Sequence, residues 1–139
     1  MRTAATPTDD SLPLDLYWVP DDPISQYHIY LHFAEIVMLN ASQLRSFNVT
    51  IDGNDWYRSL VPSYLSTGTL YSPSVLPRGK YQFSIIKTQS STLPPIINAV
   101  EIYSVKNLSQ SATDQEDGMY VLFYTCFSNI ISILIYIEF

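Results

Sequence analysis

Cysteine, glycine and charged residues are all scarce in this chain of 139 residues. The single cysteine, Cys126, cannot form an internal disulfide, which excludes a disulfide framework and a cysteine-rich zinc site. Four glycines in the whole chain leave no glycine-rich phosphate loop. Seven Lys and Arg against thirteen Asp and Glu give a net charge of −6, which offers no basic surface to nucleic acid. We therefore expect no metal, no cofactor and no nucleic-acid partner.

Apolar and aromatic residues, by contrast, are abundant. The chain is 47% hydrophobic and has eleven Tyr, six Phe and two Trp, which is enough apolar surface for one domain with a hydrophobic core. Its N-terminus has no apolar run of the kind found in a secretory signal peptide. Three glycosylation sequons nevertheless occur, at Asn40, Asn48 and Asn107, and these are acceptors only in a chain that enters the secretory route.

Short alternating segments dominate residues 26–105. Apolar side chains recur at every second position in three places, typical of strands with one buried face: Tyr27, Ile29, Leu31 and Phe33; Phe47, Val49 and Ile51; Tyr81, Phe83 and Ile85. Asp52–Asp55 supplies turn residues between strands, and residues 96–105 form a further β-branched run. The pattern predicts an all-β antiparallel sandwich or jelly roll over residues 14–117, after an irregular segment at 1–13.

Residues 118–139 form an apolar tail of different character. No charged residue lies between Met119 and Ile137, and a run of this length can span a bilayer as a helix. The tail also contains several Ser, Thr and Asn residues and has no flanking Lys or Arg to fix an orientation. Membrane insertion through residues 119–137 and an aggregation-prone tail are both open.

The sequence shows no clear set of catalytic or metal-binding residues. His28 and His32 have the spacing of a helical zinc motif, but on a strand their Cα atoms lie about 13 Å apart. We therefore interpret them as outward-facing strand histidines. Glu35 has the chemistry of a general base but no readable partner, so a hydrogen-bonded structural carboxylate is the favoured interpretation.

Aromatic residues near turns are the candidates for ligand contact. The faces of Tyr and Trp rings can stack on the C–H faces of sugars, and loops at sandwich edges often carry function. We predict ligand contacts at Asp55, Trp56, Tyr57 and Tyr64, and Tyr71 lies in similar sequence. The alternative is that these rings pack between the sheets.

Six sequence strings, in order over residues 3–117, resemble one known family. They are Asp21–Pro23, His32–Ile36, Arg45–Val49, Asp52–Tyr57, Leu93–Tyr103 and Thr113–Asp117. Together they resemble the malectin-like ectodomain of plant leucine-rich-repeat receptor kinases. The resemblance implies a galactose-binding-like jelly roll, normally in two tandem modules ahead of the repeats, a membrane span and a kinase.

The resemblance also sets the functional expectations. The chain starts at a point similar to the interior of the second module, so we expect a partial module, placed on the extracellular face of a membrane and without kinase activity. Animal malectin binds a diglucose through an aromatic pair where this chain has Val37 and Met38. A cell-wall glycan or a secreted peptide is the implied ligand, and a truncated product without a ligand is the alternative.

Overall fold

The fold consists of β-strands joined by turns and loops. The computed structural model describes residues 3–21, 25–72, 74, 76 and 79–105, together with the backbone of residues 130–135. In this part of the chain there is no helix. The strands are β1 (Leu14–Trp18), β2 (Gln26–Phe33), β3 (Phe47–Ile51), β4 (Asn54–Leu60), β5 (Gly68–Tyr71), β6 (Tyr81–Lys87), β7 (Ala99–Val105) and β8 (Ile130–Ile135). The all-β prediction is confirmed.

The strands form two four-stranded antiparallel sheets. Sheet 1 has the order β1-β6-β3-β4, and sheet 2 has the order β5-β2-β7-β8. Their inward side chains meet in one core, which makes the fold a β-sandwich. β4 is an edge strand of sheet 1 and β5 an edge strand of sheet 2, and residues 61–67 connect them. The chain therefore passes from one sheet to the other at an open edge of the sandwich.

The core is built by the alternation visible in the sequence. In β2, the side chains of Ile29, Leu31 and Phe33 are at most 1% exposed, whereas the intervening residues are only half-buried. Phe33 packs across the sandwich on Phe47 of β3, with ring centroids 5.4 Å apart. Each buried apolar side chain of this size stabilises the fold by about 1.5–3 kcal/mol. The contacts between β2 and β3 thus hold the two sheets together.

A two-residue turn joins β3 to β4. Asp52 and Gly53 have φ angles of 49° and 77°, and two positive φ values in succession match a type I′ hairpin turn. Asp52 is further held by its Oδ1 atom, which accepts a hydrogen bond from the Gln82 backbone N–H at 2.9 Å. The predicted hairpin is confirmed, but its turn is shorter than expected because β4 begins at Asn54.

The segment before β1 is irregular except at one point. Ala5 is 6% exposed, and its backbone exchanges two hydrogen bonds with Ile97, at 2.7 and 3.1 Å. Isolated bridges of this kind satisfy backbone groups that would otherwise be buried without a partner. Part of the segment predicted to be irregular thus contributes to the core.

Part of the apolar tail forms a sheet strand. β8 pairs antiparallel with β7 along its whole length, from Val100 opposite Ile135 to Val105 opposite Ile130. The rest of the predicted span, residues 119–129 and 136–137, lies outside the described residues. Within the part that the structure describes, no helix has the length and apolarity needed to cross a membrane. The insertion of residues 119–137 into a membrane stays a prediction.

Candidate functional site

A cleft lies at the open edge of the sandwich between β4 and β5. Its volume is about 290 Å³, and its walls come from β4, the following loop, β5 and Phe33 of β2. Tyr57 supplies an aromatic ring, Leu60 an apolar surface, and Ser59, Ser63 and Thr69 supply hydroxyl groups. None of the described residues that line it is charged. The cleft therefore combines apolar surface with neutral hydrogen-bonding groups, as small-molecule sites commonly do.

Two residues around this cleft have positive φ angles, which residues other than glycine rarely adopt. Ser59, in the cleft wall, has a φ angle of 53°, and Leu65, in the loop that follows, has one of 52°. Each such residue costs of the order of 1–3 kcal/mol and persists only where its surroundings hold it. The Ser59 N–H donates to the Asn48 side chain at 2.9 Å, and the Leu65 N–H donates to the Glu35 carbonyl at 2.8 Å. The cleft is thus held in shape by specific hydrogen bonds.

A buried ion pair anchors the loop beside the cleft. The Arg45 Nε donates to the Glu35 Oε2 at 2.7 Å, and these residues are only 9% and 2% exposed. The other carboxylate oxygen of Glu35 accepts from the Val37 N–H at 3.1 Å, while the Arg45 guanidinium also donates to the Pro94 carbonyl. The Glu35 backbone N–H donates to the Ser63 carbonyl at 3.0 Å. Glu35 is therefore a structural carboxylate, and sequence analysis missed Arg45 as its partner.

The four predicted contact residues are placed in four different surroundings. The expectation that Asp55 lies in the turn is wrong, because the two-residue turn leaves it free to pair in β4, to which Trp56 and Tyr57 also belong. Pairing of β3 with β4 is irregular between Val49 and the next residue, with Val49 opposite Tyr57 and Thr50 opposite Asp55. Trp56 is the extra residue of this bulge.

The bulge directs the two rings differently from Asp55. Trp56 is half-buried against the core, with its ring 6.1 Å from that of Phe83, whereas Tyr57 is 48% exposed and lines the cleft. Asp55 instead forms an exposed ion pair with Arg58, and this hydrogen bond raises the pKa of Arg58 above its ordinary value. The structure thus brings Tyr57 alone of these three to the cleft.

Tyr64 lies in the loop that borders the cleft. It is 47% exposed and forms an isolated bridge with Glu35. It is near the cleft through this loop but is not one of the residues that line it. Ligand binding by Asp55, Trp56, Tyr57 and Tyr64 stays a prediction.

A second aromatic surface lies on the outer face of sheet 2. Tyr30 of β2 stacks on Tyr71 of β5 at 5.9 Å and meets Tyr103 of β7 edge-on at 5.3 Å. The Tyr103 hydroxyl donates to the Glu101 Oε2 at 2.7 Å, which is the main cause of the raised pKa of Tyr103. Sequence analysis missed this cluster, although the outward position of Tyr30 followed from the alternation in β2. Because the rings cover one another, the cluster also has an ordinary role as cross-strand packing.

The two histidines of β2 are held by neighbours in sheet 2. Nδ1 of His32 lies 2.9 Å from the Thr69 hydroxyl, and its Nε2 lies 3.5 Å from the Glu101 carboxylate. His28 lies with Nδ1 3.3 Å from the Ser72 carbonyl. Among the described residues, no cluster of three or more His, Cys, Asp or Glu side chains is arranged to hold a metal ion.

The sequons differ in their surroundings. Asn40 is exposed in a loop, where its Oδ1 accepts hydrogen bonds from the N–H and the hydroxyl of Ser42 at 3.1 and 2.7 Å. Asn48 lies in β3 and faces outward. Asn107 lies outside the described residues. Glycosylation of all three stays a prediction.

Comparison with known proteins identifies relatives among plant receptors. A probable LRR receptor-like serine/threonine-protein kinase of Arabidopsis thaliana, At1g51860, is 38% identical over 120 residues, which cover 84% of this chain and 14% of the relative. A second Arabidopsis protein with the same description, At1g05700, is 40% identical over 121 residues, which cover 85% of this chain and 14% of that protein. The chain thus spans about one-seventh of the length of these curated relatives.

Comparison with solved structures finds a carbohydrate-binding protein. The native structure of a family 35 carbohydrate binding module from Clostridium thermocellum aligns with a TM-score of 0.43 at 14% sequence identity. The alignment covers 71% of this chain and 86% of that module.

A family comparison covers most of the described sandwich. The family described as the Malectin-like domain matches residues 1–105, which include all strands from β1 to β7. Together with the relatives, this match confirms the resemblance seen in the sequence strings. The chain belongs to the malectin-like domain family.

Proposed function

We propose that this chain is a non-catalytic glycan-recognition module on the extracellular side of a plant receptor. Its membership of the malectin-like family and its similarity to receptor-like kinases support a role in receptor ligand binding. The observation that carries the proposal is Tyr57, which presents a half-exposed ring to a cleft lined with hydroxyl groups. A sugar offers one apolar C–H face and several hydroxyls, so it matches both kinds of surface.

The lining of the cleft favours a neutral sugar. No described lining residue is charged, so an acidic sugar would lose hydration without gaining a cation in return. We place the Tyr57 ring against a sugar face, with Ser59, Ser63 and Thr69 as hydrogen-bonding partners. We assign Tyr64 to the rim of the cleft. Trp56 supports β4 by packing on Phe83, and Asp55 holds Arg58 in an ion pair.

The same lining argues against glycoside hydrolysis. That reaction ordinarily needs two carboxyl groups on either side of the bond that is cleaved. No Asp or Glu is among the described residues that line the cleft, and both oxygens of the Glu35 carboxylate are engaged in hydrogen bonds. The proposal is therefore one of binding without turnover.

A peptide is the second candidate ligand. β4 and β5 are edge strands on either side of the cleft, and an edge strand can accept an extended peptide as an additional strand. A secreted peptide bound in this way would depend on backbone pairing more than on Tyr57. A truncated product with no ligand is the third candidate, and it would bind neither glycan nor peptide when folded.

Calorimetric titration with a panel of neutral cell-wall oligosaccharides tests the proposal. Loss of one stacked ring is worth about 0.5–1.5 kcal/mol beyond area burial, so Tyr57→Ala should weaken binding by roughly tenfold. Tyr17→Ala is the matched control, because Tyr17 is also exposed, at 62%, but lies in β1 at the opposite edge of sheet 1.

Two outcomes would overturn the assignment. If Tyr57→Ala binds as well as the unaltered chain while Tyr71→Ala loses affinity, the ligand binds the outer face of sheet 2. If the folded chain binds no oligosaccharide but binds a secreted peptide, the peptide candidate replaces the glycan.

A further inference from the structure

The outer face of sheet 1 carries a polar trough that adjoins the cleft at Ser59, the residue that lines both. It is lined by Asn48 of β3, by Asp55, Arg58 and Ser59 of β4, and by residues 87–90, and its volume is about 610 Å³. We call it the Asn48 trough. Unlike the cleft, it contains cationic, anionic and hydroxyl groups side by side. This mixture can satisfy the donors and acceptors of a hydroxyl-rich molecule from several directions.

Asn48 is positioned at the wall of this trough. Its Oδ1 accepts a hydrogen bond from the Ser59 N–H at 2.9 Å, which fixes the amide plane and does not use Nδ2. Nδ2 is the atom to which an N-linked sugar is attached. Thr50 completes the sequon, and its hydroxyl lies 3.4 Å from the Ser84 carbonyl. The attachment atom and a polar surface able to receive a sugar therefore lie side by side.

We propose that Asn48 carries an N-linked glycan whose first sugars lie in the Asn48 trough. In the attachment step, Nδ2 bonds to the anomeric carbon of a lipid-linked oligosaccharyl pyrophosphate. The bond from that carbon to the pyrophosphate oxygen breaks, and the lipid pyrophosphate leaves with its electron pair. Nδ2 gives up one proton to the surrounding water, and nothing is oxidised or reduced. The donors for the sugar hydroxyls are Arg58, Lys87 and Gln89, and the acceptors are Asp55 and Ser90. The trough volume is within the range of about 300–1,000 Å³ that is usual for ligand sites.

The exposed sequon provides an internal contrast. Asn40 lies in an exposed loop, with its side-chain carbonyl bonded to Ser42, and lines neither the cleft nor the Asn48 trough. A glycan on Asn40 would extend into solvent. The proposal also gives Asp55 a role that the sequence did not indicate, namely contact with the chain's own glycan instead of a free ligand.

The proposal rests on the extracellular location in the proposed function, and it does not require a ligand in the cleft. The test uses the full chain, secreted from plant cells behind an added signal peptide. Mass spectrometry of peptides first gives the occupancy of Asn40 and Asn48. A peptide N-glycosidase is then applied to the folded protein, and the conversion of each Asn to Asp is followed over time.

The expected result is an occupied Asn48 whose glycan is released about tenfold more slowly than that of Asn40, a ratio equivalent to about 1.4 kcal/mol. Denaturation should make the two rates equal. The double variant Gln89→Ala/Ser90→Ala alters two exposed residues of the trough and should speed release at Asn48 alone.

Three results would overturn the proposal. An unoccupied Asn48 beside an occupied Asn40 would remove the modification while leaving the extracellular location intact. A chain that is secreted without a glycan at Asn40 or Asn48 would also remove the modification and leave the extracellular location intact. Slow release at Asn48 that the Gln89→Ala/Ser90→Ala variant does not change would show that β3 itself hinders the enzyme and that the glycan is not docked.

Discussion

The buried Arg45–Glu35 pair should be essential to the stability of the sandwich. In Arg45→Leu, the Glu35 carboxylate, 2% exposed, would keep the Val37 N–H as partner but lose the guanidinium at 2.7 Å. Removing one partner of a buried pair costs about 3–5 kcal/mol, because the other charge is left without compensation. A domain of this size has about 5–15 kcal/mol of stability in total. The variant should therefore be only marginally folded.

Urea unfolding followed by tryptophan fluorescence measures this loss. Arg58→Leu is the matched control, because it removes an exposed arginine, whose side chain is 74% accessible, from a similar ion pair and should leave the unfolding midpoint nearly unchanged. The double variant Glu35→Leu/Arg45→Leu should recover much of the stability, since it leaves no buried charge. If Arg45→Leu costs less than about 1 kcal/mol, or if the double variant is the less stable of the two, the buried-charge argument is refuted.

Three further predictions concern the turn, the outer face of sheet 2 and the tail. Gly53→Ala should lower the free energy of unfolding by about 1 kcal/mol, measured by thermal unfolding. The cost comes from the positive φ of 77° alone, because no atom lies within 4 Å of the added Cβ. A smaller loss for Gly53→Ala than for Gly53→Asn would contradict this. Because the folded-state pKa of Tyr103 is raised above 10.0, its contribution to stability should be full below that pH and lost as pH rises through the folded-state pKa. An unfolding series should show this loss, and Tyr103→Phe should reduce it but not remove it, because burial also raises the pKa of Tyr81. Hydrogen exchange should show protected amides in Ile130–Ile135, and rapid exchange there would exclude the pairing of β8 with β7.

The strands of the core could be predicted because each one is encoded locally. The alternation in Gln26–Phe33 and in Tyr81–Lys87 appears in the structure as alternate burial along β2 and β6. The hairpin at Asp52 and Gly53 was also readable, since these residue types tolerate positive φ. Its length was not readable, because whether Asn54 and Asp55 pair depends on the register with β3.

The site could be predicted only in part, because it depends on contacts between distant segments. Tyr57 was a candidate by residue type, but its position in the cleft follows from a bulge in β4 and from the approach of β5. Arg45 could not be assigned to Glu35 from spacing, since the two residues lie ten positions apart in the irregular connection between β2 and β3, where no regular period fixes which side chains meet. Likewise, the apolar composition of the tail could not show that Ile130–Ile135 pairs with β7.

Mapping of a bound neutral oligosaccharide by nuclear magnetic resonance tests the central claim most directly. The chain, labelled with ¹⁵N, would be titrated with the tightest ligand from the oligosaccharide panel. The account predicts that the largest amide shifts fall on Tyr57, Ser59, Ser63 and Thr69, at the cleft between β4 and β5. Shifts confined to the residues around Tyr30 and Tyr103, with the cleft amides unmoved, would contradict it and place recognition on the outer face of sheet 2.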